Sequence, residues 1–157
     1  MFPNARVSEQ MALMDAVNPV SQAPGTVTTA WVSAANFERF LAIITSGVLG
    51  AAATLDAKLQ QAQDGAGTGA KDIPNKALVQ IVKATGDNKM AMIDLRDDEL
   101  DVTGGFSWVR LSMTVGAAAS LISGHLLAGV ARFAPPKDAG ANPAINLGSA
   151  NVVQIIP

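Results

Sequence analysis

Residues Ala53 to Gln61 alternate with a period of two, a pattern that few helical chains can tolerate. Ala53, Leu55, Ala57 and Leu59 share one parity, and Thr54, Asp56, Lys58 and Gln60 share the other. An extended backbone buries the first set and leaves the second in water. Phe106 to Val115 repeats the pattern, with Val109, Leu111, Met113 and Val115 on one side and Trp108, Arg110, Ser112 and Thr114 on the other. Thr26 to Val32 is rich in β-branched residues. Phe37 to Leu49 is apolar at both parities, Phe37, Leu41 and Ile43 against Phe40, Ala42 and Ile44, which suits a strand buried on both faces. Ala77–Val82 and Met90–Leu95 are two further runs, and Thr85-Gly86-Asp87-Asn88 between them reads as a hairpin-like connection. Leu121 to Arg132 reads as the last strand. Roughly seven or eight short strands at near-regular spacing predict a mainly β fold, a single antiparallel β-sandwich of jelly-roll type.

The ends read differently. Residues 1–25 carry Pro3, Pro19, Pro24 and Gly25, and within them Met11, Met14 and Val17 fall three apart, with Leu13 completing an apolar stripe. That spacing predicts a turn or two of helix over Ser8 to Val17, capped by Ser8, too short to stand without a partner surface. Residues 134–157 hold Pro135-Pro136, Gly140, Asn142-Pro143 and Gly148, then close on Asn151-Val-Val-Gln-Ile-Ile-Pro157. Disordered linkers are normally polar. An apolar ending of this kind fits an extended arm added to a neighbouring sheet, and equally a strand closing its own domain. The expected organisation is an amino-terminal arm over 1–25, a sandwich core over 26–133 and an extended tail over 134–157.

Charge is sparse. Asp, Glu, Lys and Arg make up 15% of the chain, against about 25% in an average soluble protein. A surface with so little charge is expected to be partly hidden in an assembly. The net charge of −2 and the absence of any Lys/Arg run argue against a nucleic-acid partner. There is no cysteine, hence no disulfide framework or thiolate metal site. The first twenty residues do not read as a signal peptide. The nearest approach to a membrane span, Ser112 to Val130, is interrupted by Gly116, Ser120, Ser123, Gly124 and His125.

Catalytic constellations are hard to assemble from these residues. The single histidine, His125, sits in Leu121-Ile-Ser-Gly-His-Leu-Leu127 and is expected to be a packed or interface residue. Ser123 shares its parity, but no orienting acid or oxyanion donor accompanies the pair. No enzymatic activity, metal or cofactor is expected. Gly67 and Gly69, in Asp64-Gly-Ala-Gly-Thr-Gly69, lack the Gly-Lys-Ser/Thr of a phosphate loop and read as positive-φ turn residues. The acidic group Asp94, Asp97, Asp98, Glu99 and Asp101 lacks the spacing of a calcium loop, and Arg96 supplies local neutralisation, so a solvated corner is expected. Trp31 and Trp108 have no interleaved basic residues and read as core or interface anchors rather than base-stacking platforms.

Four segments together carry a resemblance: Ala53–Ala62, Asp64–Ile73, Ile93-Asp-Leu-Arg-Asp-Asp-Glu-Leu-Asp-Val102, and Gly105-Phe-Ser-Trp-Val-Arg-Leu111. Over about Trp31 to Leu127 the chain resembles a family of virion structural proteins encoded by tailed bacteriophages and prophages. The resemblance implies a head-decoration (cement) protein or a neck component, located in the virion and assembled in the host cytoplasm. It brings no catalytic or cofactor residues. The longer proline-punctuated amino end and Pro-rich tail depart from the family pattern. On this basis the protein is expected to form a trimer or another small homo-oligomer and to bridge subunits of a major capsid protein, without touching nucleic acid or membrane. The expected contacts are Phe2, Met11, Leu13, Met14, Val152, Val153, Ile155 and Ile156. The rival expectations are a head–tail connector or tail-completion ring, and a carbohydrate-binding module.

Overall fold

The computed structural model describes residues 7–132. A single helical turn, α1 (Val7–Gln10), leads into ten strands: β1 (Met11–Gln22), β2 (Gly25–Thr28), β3 (Val32–Ser33), β4 (Phe37–Ser46), β5 (Thr54–Ala62), β6 (Lys71–Ala77), β7 (Ile81–Val82), β8 (Lys89–Arg96), β9 (Trp108–Gly116) and β10 (Ser120–Ala131). A four-residue helix, α2 (Lys83–Gly86), lies between β7 and β8. All pairings are antiparallel. One sheet, here sheet A, runs β1-β10-β4-β8; the other, sheet B, runs β2-β9-β5-β6, with β3 continuing beside β9 and β7 beside β5. With β2/β3 and β6/β7 each counted as one broken strand, the order is 1-8-3-6 over 2-7-4-5, the winding of a jelly roll.

The two inner faces form the core. Sheet B contributes Leu55, Ala57, Leu59, Val109, Leu111, Met113 and Val115, the residues whose parity marks them as inward. Sheet A contributes Phe40, Ala42, Ile44, Leu95, Ile122, Leu126 and Ala128. Phe37 and Phe40 meet edge to face, with ring centroids 6.4 Å apart. At Gly124 on β10 the sheets approach so closely that a Cβ would lie 2.7 Å from Met113 Sδ and 2.8 Å from Leu111 Cδ2. Only hydrogen fits there without displacing those side chains.

Two sequence expectations need correction. The helix over Ser8 to Val17 is confined to Val7–Gln10, and Met11–Gln22 is a full edge strand paired with β10, not an arm outside the core. Bulges between Leu13 and Asp15 and between Val17 and Val20 shift the phase. Inward residues thus fall at Ala12 and Val17, and Met14 packs on the core from the first bulge, a spacing that mimics a helix. The runs around Ala77–Val82 and Met90–Leu95 do not form a hairpin, because β7 pairs with β5 in sheet B and β8 with β4 in sheet A. The Thr85–Asn88 segment is a crossing between the layers. It is pinned by Asp87, whose carboxylate accepts from Leu49 N (2.8 Å) and Lys83 Nζ (2.9 Å). Among the described residues no helix is long and apolar enough to cross a membrane.

Candidate interaction surface

Side chains of the second parity in each sheet point away from the core, and the two outward faces differ in chemistry. On sheet B, Thr26 Oγ1 and Thr114 Oγ1 lie 2.8 Å apart. Lys58 Nζ donates to Asp72 Oδ2 (2.7 Å), Gln60 Nε2 donates to Asp72 Oδ1 (2.8 Å), and Arg110 Nε donates to Gln60 Oε1 (2.9 Å). Gln80 donates to Asp56. The hydrogen bond from Lys58, then that from Gln60, holds the Asp72 carboxyl below the usual carboxylate range.

On sheet A the register stacks the outward residues in rows across the four strands. Leu13 lies beside Leu127, Leu127 beside Leu41, and Leu41 beside Asp94. The next row is Ala16, His125, Ile43 and Met92, followed by Ser123, Thr45 and Met90, then Ser21 and Leu121. Met11, Gly129, Arg39 and Arg96 form the row at the opposite end. Directly opposed Cβ atoms stand about 4.5–5.5 Å apart, so Leu13, Leu127 and Leu41 together with Ala16, Ile43 and Met92 form an apolar patch around His125, bordered by Ser123 and Thr45 on one side and by Arg39 and Arg96 on the other. Its middle is shielded by its own neighbours; at its margin Met90 and Met92 are 65% and 63% exposed and Leu121 is 48% exposed. Carboxylates, Lys and Arg enter only at the corner made by Asp94, Arg39 and Arg96. The two-sided run in β4, expected to be buried on both faces, thus has one face in the core and the other on this surface.

Of the expected contact residues, Met11 and Leu13 lie on this outward face, whereas Met14 packs against the core. Phe2, Val152, Val153, Ile155 and Ile156 lie outside the described residues. Leu41, Ile43, Leu127, Met90 and Met92 were not among the expected contacts. Their signal was the second apolar parity of Phe37 to Leu49 and the outward Met90/Met92 pair.

Ser123 and His125 do share a face, the apolar one, as their spacing predicts. In the register His125 stands between Ala16 and Ile43, and Ser123 beside Thr45. The His125 side chain makes no hydrogen bond with another described residue. The acidic corner is a set of separate ion pairs: Arg96 to Asp98 (2.6 Å), Lys76 to Glu99 (2.7 Å), Lys71 to Asp101 (2.5 Å) and Arg132 to Asp97 (2.5 Å). The Lys76 and Lys71 contacts are the main reason that Glu99 and Asp101 titrate below their ordinary range. No three Asp, Glu or His groups among the described residues are placed to hold a metal ion.

The glycine loop has a packing reason. Asp64 accepts from Thr68 Oγ1 (2.6 Å), Thr68 N (3.0 Å) and Ala66 N (2.9 Å), chiefly the hydroxyl bond lowering its pKa. Gly67 and Gly69 take positive φ, +88° and +66°. A Cβ on Gly67 would lie 2.6 Å from Trp31 Nε1, and one on Gly65 would lie 3.1 Å from the Trp108 ring. The Arg110 guanidinium lies over the Trp31 ring at 4.3 Å. Both indoles anchor the loop to one end of sheet B.

No family model matches the chain, and no curated protein matches it. Among solved structures it is similar to a chain described as "CBM4 structure and function" (13% identity, TM-score 0.40, covering 69% of this chain and 67% of that one). It is also similar to cowpea mosaic virus top component particles (8% identity, TM-score 0.42, 88% and 98%) and to broad bean stain virus (13% identity, TM-score 0.39, 88% and 97%). Identities of this size leave the outward faces of the chain's own sheets as the guide to function.

Proposed function

We propose that this protein is a non-enzymatic virion structural protein, a decoration (cement) protein that sits on the head of a tailed bacteriophage and bridges major capsid subunits. The supporting observation is the apolar outward face of sheet A. Four strands at about 4.8 Å spacing and five rows at about 6.8 Å give the whole face an outline of roughly 650 Å², of which the two apolar rows, those of Leu13 and Ala16, make up about 260 Å². A stable pairwise interface buries about 800 Å² per partner. At about 25 cal/mol per Å² the gross gain from the apolar part is about 6 kcal/mol, which the roughly 4–15 kcal/mol cost of association cancels. One such contact is weak. Repeated on an ordered shell, and linked through small homo-oligomers, it becomes firm by multivalency. The middle rows offer no Lys or Arg to a phosphate backbone, which fits a protein partner.

The test is co-sedimentation of the purified protein with phage heads, comparing wild type with Leu41→Lys/Leu127→Lys. Loss of loading with an unchanged fold supports the assignment; undiminished loading of the double variant removes it. Imaging the particle then separates decoration, with copies across the lattice, from a connector ring at one vertex. A carbohydrate-binding reading draws on a different observation, the polar ladder of sheet B flanked by Trp31 and Trp108. The Arg110 guanidinium already occupies one face of Trp31, which disfavours sugar stacking there, and a glycan array tests it directly.

A further inference from the structure

The four sheet edges are not alike. The β1 edge has two bulges and Pro19. The β2/β3 edge is interrupted between Thr28 and Val32. The β6/β7 edge has a register shift opposite Lys58/Gln60, Pro74, and Asn75 at φ +61°. These are devices that stop an edge from accepting another strand. By contrast, β8 pairs with β4 without a break from Lys89 to Arg96 and has no proline.

Its backbone polarity can be read from neighbours. Lys76 Nζ donates to Asp94 O (2.8 Å), and Arg96 N donates to Glu99 Oε2 (2.8 Å). The even-numbered residues of β8 therefore direct their amide and carbonyl groups away from β4, and the odd-numbered ones direct theirs toward it. At the Asp94–Arg96 end the free edge is covered by the Lys76–Glu99 ion pair. At Met90 and Met92 the outward amides and carbonyls have no hydrogen-bond partner among the described residues. The same two residues are the most exposed side chains on the apolar face. An open backbone edge and an apolar margin thus coincide over one short stretch.

We propose that the open half of β8 receives the chain's own carboxyl-terminal segment, Val152-Val-Gln-Ile-Ile156, as a fifth, antiparallel strand of sheet A. The exit of the chain supports this occupant. Arg132, the last described residue, is tied to Asp97 immediately beyond the end of β8, and its amide donates to Asn36 O (2.9 Å). A chain leaving there and running back along β8 runs antiparallel to it. Residues 133–150 reach up to about 60 Å when extended, whereas the distance from Arg96 back to Met90 is about 20 Å. The segment is uncharged, as is the edge at Met90–Met92, and both of its parities carry apolar residues, so either register extends the apolar face. This takes up, of the two placements that the sequence left open, the strand that closes its own domain; it gives Val152, Val153, Ile155 and Ile156 a place in their own chain, and it stands independently of the decoration role.

The test is amide exchange by NMR on the full chain and on a chain ending at Ala150. The Met90 and Met92 amides are expected to exchange at least ~10-fold more slowly in the full chain, while Ala91, Ile93 and Leu95, which face β4, stay unchanged. A peptide of Asn151–Pro157 added to the shortened chain restores the protection. Val153→Pro/Ile155→Pro in the full chain abolishes it without shortening the protein. Equal exchange of Met90 and Met92 in both chains overturns the proposal. Protection that rises with protein concentration together with a dimer assigns the strand to a second copy and overturns the own-chain assignment. Loading on phage heads, measured separately, reports on the decoration role alone.

Discussion

The outward faces of sheets A and B belong to the same sandwich and have the same strand geometry, yet they are chemically opposite. Sheet B satisfies itself: Lys58, Asp72, Gln60 and Arg110 form a connected ladder. Sheet A has leucines, isoleucine and methionines in the corresponding places. An antiparallel sheet that faces water on one side needs polar residues at alternate positions. Sheet B meets that requirement and sheet A does not. The buried core of the described residues lies between the sheets and includes neither outward face, so core packing does not account for the difference. Under the proposed function, a contact of sheet A with another subunit accounts for it.

Strand β4 carries both kinds of face and gives the sharpest way to break the comparison. Phe40→Ala, on the inner side, is expected to cost about 3–5 kcal/mol, read as a loss in the denaturant midpoint. Its neighbour Leu41→Lys is expected to reduce binding to phage heads at least ~10-fold, equivalent to about 1.4 kcal/mol, with the thermal midpoint nearly unchanged. A large drop in stability from Leu41→Lys would show that the outward face belongs to the fold after all. On the sheet B side, Gly67→Ala is expected to cost about 1–3 kcal/mol, because φ is positive and Trp31 leaves no room; calorimetry checks this, with head binding unaltered.

Acid sharpens the contrast further. Asp64, Asp72, Asp87, Glu99 and Asp101 all have depressed pKa values, each mainly through a side-chain hydrogen bond. A depressed folded pKa adds stability that is fully present above the unfolded value and is lost as pH falls through the folded one. The midpoint of unfolding is therefore expected to hold from neutral pH down to the ordinary carboxylate range, about 3.9–4.3, and to decline below it. None of these carboxylates lies in the rows of sheet A, so the decline belongs to sheet B and the connections. The smallest effect is expected from Asp72→Asn. Its partner Lys58 and Asp72 itself are both about half exposed, and such pairs contribute about 0–1 kcal/mol.

Much of the sandwich was legible in the alternation itself. Ala53–Gln61 and Phe106–Val115 became the paired central strands β5 and β9 with the inward residues as read, since a regular period of two leaves one arrangement. Legibility failed where the backbone departs from that period. In β1 each bulge adds a residue, so the spacing of Met11, Met14 and Val17 imitates a helix. The crossing at Thr85–Asn88 has the turn residues of a hairpin, and nothing local separates a turn within a sheet from a passage between sheets. The interaction surface was half visible: the double apolar parity of Phe37 to Leu49 was evident, but which parity faces outward depends on the β10 and β8 neighbours.

The pairing of β1 with β10 also sets an order on the birth of the molecule. Met11 finds its partner at Gly129 and Gln22 finds its partner at Ser120, so about 100 residues, some 5–20 s of synthesis, separate the first strand from the one that holds it. Nascent β1 must wait on the ribosome's progress, and sheet A zips shut only when the closing strand emerges. Such distant pairing places the protein among the slow folders, and a chain stalled before Ser120 keeps an unclaimed, partly apolar strand at its head.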